Sequence, residues 1–171
     1  MLVFGDYLIN RDFLMKEQFS ASFFFKTMNL IYIGYLVSGI IMLAISFSLW
    51  GFDFEIKTEL SPLKKIVLGS FVILSTFISQ LIYKRTLKRT QTSDQLIIKL
   101  QNYQSAAIYR LSILEFTLII TILFFIFTKL WSILIISCAL LVLIFLCKPT
   151  KHSFMKLLPL TQDEKMLITQ N

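Results

Sequence analysis

Among the side chains able to do chemistry, Glu115 stands apart, because it is a carboxylate inside an apolar run. Between Leu111 and Cys147 the only charged residues are Glu115 and Lys129. An ionised carboxylate surrounded by lipid is unfavourable, so this one must be protonated, paired or hydrogen-bonded. The nearest base, Arg110, is five positions away, or about 140° around a helix, so the two do not meet on their own helix. The partner should therefore come from another apolar run. Asn29, Tyr32 and Tyr35 lie in one such run, and Ser79, Gln80 and Tyr83 at the end of another. Glu115, Arg110, Asn29, Tyr32 and Gln80 form the candidate polar cluster. It could accept a proton or cation, or it could supply interhelical hydrogen bonds that fix packing.

Other chemistry finds little footing. His152 is the only histidine, and no Cys, His, Asp and Glu set has metal-ligand spacing. Cys138 and Cys147, nine positions apart, face opposite sides of a helix and read as apolar fillers. There is no nucleotide loop, nucleophile elbow or metalloprotease helix. The expectation is no catalytic residue, no metal, no cofactor and no enzymatic activity.

The elements that must position the cluster follow from composition. The chain has 171 residues, 56% hydrophobic and only 16% charged, against about 25% charged in ordinary soluble domains. A membrane span needs about 20 mostly apolar residues. Four runs qualify: 27–50, 66–83, 108–128 and 130–147. The expected fold is all-α, a four-transmembrane-helix bundle with a helical cytoplasmic extension between spans two and three. In the extension, Ser93 or Asp94 would cap a helix whose apolar face is Leu96, Ile97, Leu100, Tyr103 and Ala107. Spans three and four should form a tight hairpin at Thr128–Lys129, with Trp131 at the interface.

Residues 1–26 read as a cytoplasmic or interfacial lead-in and not as a secretory signal, with Phe23, Phe24 and Phe25 at headgroup level. The 27–147 segment is the transmembrane domain, and 148–171 an amphipathic cytoplasmic tail. In that tail Pro149 suits a first helical turn, and Phe154, Leu157 and Leu158 form a face that could lie on the membrane. Pro159 ends this helix, and Thr161 to Glu164 matches a capping box. Gly34 with Ser38, and Ser75 with Ser79, have the small-residue spacing of close helix contacts.

Basic residues set the orientation. The N-terminal segment, the 84–99 stretch and the tail share one side and hold twelve Lys and Arg, against four on the other side. Both termini are expected in the cytoplasm. The net charge of +7 then answers to anionic lipid headgroups and not to nucleic acid.

The stretch KLQNYQSAAIYRLSILE, carrying Lys99, Leu100, Tyr103, Ser105, Ala106, Ile108, Arg110, Leu114 and Glu115, resembles an uncharacterised family of small bacterial four-span integral membrane proteins. A second stretch does so too: Pro149, Thr150 and Lys151, then Leu158 and Leu160 leading to Glu164. Where that family tends to have Gly-Pro after the acid, this chain has Phe116 and Thr117. The resemblance implies the four-span architecture and a bacterial cytoplasmic (inner) membrane, draws attention to Arg110 and Glu115, and brings no activity. The expected function is a non-enzymatic structural or accessory subunit of a membrane assembly. Its partners would be membrane lipids, further copies of itself or other subunits. The alternative is a small transporter or channel with Glu115 as a proton or cation site.

Overall fold

A computed structural model describes residues 3–50, 61–90 and 96–169, and every regular element among them is helical. The helices are α1 (Val3–Trp50), α2 (Pro62–Thr90), α3 (Leu96–Thr128), α4 (Trp131–Leu146), α5 (Lys151–Leu157) and α6 (Gln162–Thr169). Three carry stretches long and apolar enough to cross a membrane: Phe23–Leu49, Pro62–Lys88 and Leu96–Thr128. At 16 residues α4 is about 24 Å long, and it joins that class only if taken together with α5, from which it is bent by 75°.

Local sequence explains several of the boundaries. Pro62 opens α2, where its missing N–H removes no intrahelical bond. The α3–α4 link is only Lys129 and Leu130. Lys129 takes a left-handed conformation with φ 54°, and its N–H donates to the Phe125 carbonyl at 2.7 Å, which closes α3 as the chain reverses. The capping site expected at Ser93 or Asp94 lies outside the described residues, as does the 51–60 connection. The unbroken helix over 96–128 is present as expected.

Helix directions can be read from cross-contacts. Tyr35 meets Ser112 and Ser38 meets Glu115, both at a separation of 77 residues. The Phe47 and Phe125 rings, 78 positions apart, lie 6.4 Å from each other. A constant offset means that α1 and α3 run parallel, in register. By contrast α4 runs back, since Tyr32 reaches the Phe145 carbonyl while Gly39, further along α1, faces Leu141. α2 is also antiparallel to α3, with Tyr83 beside Arg110 at one end and Leu63 beside Thr128 at the other.

Two apolar cores result. One joins α1 to α4 through Leu43, Leu68, Leu111, Leu114, Leu118, Ile122, Phe125, Leu140 and Ile144. The other gathers Phe25 and Met28 of α1, Leu87 of α2, Leu96 to Ala107 of α3, Phe154 and Leu158 beside them, and Ile168 of α6. This second core corrects three expectations. Phe25 is buried, with its ring edge-on to Phe154 at 5.7 Å, so the Phe23–Phe25 triplet is split and does not form one headgroup row. Phe154 and Leu158 point into the protein, leaving only Leu157 of that face exposed. Lys99 is buried where Ile97 was expected, and Ile97 is exposed. In addition, Thr150 caps α5 through its side chain, so Pro149 precedes the helix and is not in its first turn.

Candidate functional site

The α1–α3 seam is built from two polar rungs. Tyr35 and Ser112 hydroxyls lie 2.7 Å apart. One turn further on, the Ser38 hydroxyl donates to the Glu115 Oε1, and the same hydroxyl lies 3.1 Å from the Tyr35 carbonyl. Because both helices advance by three residues between rungs, parallel packing delivers both contacts together. Glu115 is half-buried. Its partner therefore comes from another helix, as its distance from Arg110 around α3 requires. Ser38 earns its place by contact with Glu115 and not by small size. The close helix approach lies one residue on, at Gly39. A Cβ there would sit 2.8 Å from Leu141 Cδ1 and 3.0 Å from Leu118 Cδ2, whereas one at Gly34 would meet nothing within 4 Å.

The five cluster residues divide among separate contacts. The Arg110 guanidinium lies over the Tyr83 ring, 4.9 Å from its centroid, a cation–π arrangement. Its Nε is buried with no hydrogen-bond partner. This cation–π stacking ties the end of α2 to α3. Tyr32 donates to the Phe145 carbonyl at 2.9 Å, one of the last carbonyls of α4, which has no partner within its own helix. Among the described residues, Asn29 and Gln80 are half-buried and make no side-chain hydrogen bond, and no ion pair links Arg110 to Glu115.

A stronger polar feature lies elsewhere. Lys99 Nζ is 3.0 Å from both Glu164 oxygens and 3.2 Å from the Pro159 carbonyl. Both side chains are largely buried, at 6% and 12% exposure. Glu164 also accepts from the Thr161 N–H at 2.8 Å, while its own N–H donates to Thr161 Oγ1 at 3.4 Å. That is the capping box expected from sequence, with its acid doubling as the counter-ion of Lys99. In sequence Lys99 stands as one basic residue among twelve and as the start of the 99–115 stretch, with no partner assigned to it. The available clue was its helical phase: it shares a face with Leu96, Tyr103 and Ala106. The Lys99–Glu115 stretch and the Pro149–Glu164 stretch are brought together here, with the Tyr103 and Phe154 rings 5.1 Å apart.

No group of three or more potential metal ligands occurs among the described residues. An apolar cavity of about 570 Å³ lies between α2 and α3 at the Thr128 end, remote from Arg110. Family models, curated proteins and solved structures were each compared with the chain, and none matches.

Proposed function

We propose that this protein is a four-span bundle of the bacterial cytoplasmic membrane, with both termini in the cytoplasm, acting as a non-enzymatic structural or accessory subunit of a membrane assembly. Three helices of spanning length and composition are the base of that reading. Parity supports the fourth span. The tail meets residues 25 and 28 of α1 at the end where α2 finishes and α3 begins, so the intervening chain crosses the bundle an even number of times. Leu130 to Cys147 is then a short span whose helix is about 24 Å long, workable with local thinning or snorkelling lysines. The basic residues concentrated at the tail end put that end in the cytoplasm, and α3 from Leu96 to Ala107 becomes the cytoplasmic extension.

The observation that carries the structural role is the Ser38–Glu115 contact, which spends the carboxylate on holding α1 to α3. The transporter reading keeps one support, because the Tyr35–Ser112 pair lies one turn away along the same seam. Glu115→Gln separates the two. The structural role predicts unchanged proton flux in proteoliposomes and weakened assembly in mild detergent; lost flux with intact assembly would replace it with transport. Labelling from outside the cell tests the placement: Thr58→Cys should react, and reaction of Thr92→Cys would invert it.

A further inference from the structure

The cavity between α2 and α3 has a polarity along its length. Its lining runs on α2 from Leu63 and Lys64 through Val67 and Leu68 to Phe71, and on α3 from Thr128 back to Ile120. Nine residues of helix on each wall, eight rises of 1.5 Å, make it about 12 Å deep, close to the ~15 Å of one leaflet's hydrocarbon. All of the lining is apolar except at one mouth, where Lys64 and Thr128 stand and Lys65 follows. Lys64 and Lys65 are exposed, and neither forms an ion pair among the described residues. The slot opens sideways, since Leu63, Val67 and Phe124 remain exposed on its rim. Its volume, about 570 Å³, falls within the ~300–1,000 Å³ range of ligand-binding clefts.

We infer that this slot holds one anionic glycerophospholipid of the leaflet at the Lys129 end, with an acyl chain between α2 and α3 and the phosphate at Lys64 and Lys65. Charge complementarity selects the headgroup, because among the described residues the ionic groups at the mouth, Lys64 and Lys65, are both ammonium groups. Depth selects the chain, because the slot starts at the helix end and closes within one leaflet. The lipid would also fill the gap beside Leu68 and so hold α2, the helix most exposed along its length, against α3.

The inference rests on the membrane placement proposed above, and its test separates the two. Membrane fractions are first washed with alkaline carbonate; release of the chain would refute the placement itself. The retained protein is then titrated with phosphatidylglycerol and with phosphatidylcholine in mild detergent and weighed by native mass spectrometry. Wild type should hold one phosphatidylglycerol per chain in preference to phosphatidylcholine. Lys64→Glu, on an exposed position, should reduce phosphatidylglycerol affinity about fivefold or more. Val67→Trp should abolish retention with unchanged helix content. Equal retention of both lipids, or no effect of Lys64→Glu, would overturn the assignment. A wild-type dimer that Val67→Trp converts to monomer would do so too, by giving the slot to a second copy of the chain.

Discussion

The bundle core and the core at its tail end solve the same problem, buried polar groups, in opposite ways. In the bundle most hydroxyls bond back to their own helix. Thr117, Thr121 and Ser137 are fully buried, and each donates to a carbonyl three or four residues earlier at 2.8 to 3.0 Å. These bonds need no partner element and survive if a helix stands alone in lipid. At the tail end Lys99 and Glu164 are 65 residues apart; the capping box satisfies one Glu164 oxygen locally, but the Lys99 ammonium has no counter-ion until α6 docks. The first arrangement tolerates helices that meet late. The second makes docking all-or-none, because half of the pair is costlier than none.

The comparison is broken most directly at the ion pair. Glu164→Met leaves the Lys99 ammonium buried without its counter-ion and should weaken tail docking by about 3–5 kcal/mol. Lys99→Met/Glu164→Met should recover most of that loss. Hydrogen exchange of α5 and α6 reads both, and a single variant as protected as wild type would remove the pair from the account. In the bundle core, sterics should outweigh polarity. Gly39→Leu drives a side chain into Leu118 and Leu141, at about 1–3 kcal/mol, whereas Gly34→Leu enters open space and should leave the melting temperature in detergent near wild type. Equal effects at the two glycines would move the α1 contact elsewhere. The smallest effect belongs to the seam. Ser38→Ala removes one interhelical hydrogen bond, for which about 0.6 kcal/mol is typical, and a double-mutant cycle with Glu115→Met, which removes the acceptor, isolates it.

What the sequence disclosed follows the same division. Helices announced by apolar length, the unbroken run from Leu96 to Thr128, the two-residue reversal and the Thr161–Glu164 cap were all legible, because each depends on neighbours in the chain. That Glu115 needs a partner from another helix was also legible from angular spacing alone. Which partner was not: helix rotation decides contact, and it sends Tyr32 to the Phe145 carbonyl and Ser38 to Glu115. Burial of Lys99 is marked in sequence only by its helical phase with Leu96, Tyr103 and Ala106, and the acid that makes a buried lysine tolerable lies 65 residues away. The tail was misread for a related reason. An apolar face such as Phe154 with Leu158 fits a membrane surface or a protein groove equally well, and only the rings of Phe25 and Tyr103 decide between them.

The two-residue reversal at Lys129 and Leu130 has a bearing on biosynthesis. If α4 spans the membrane as proposed, so short a link does not let α3 and α4 enter it independently, with a free polar loop exported between them. In the proposed placement α3 and α4 must insert as one hairpin, carrying a single lysine across. Until α4 emerges from the ribosome, α3 would wait on the cytoplasmic side or cross only provisionally. Lengthening the link with a few Gly and Ser residues should uncouple the two insertions while leaving the side-chain contacts of α3 with α1 and α2 in place, so the order of events could be altered without altering the packing.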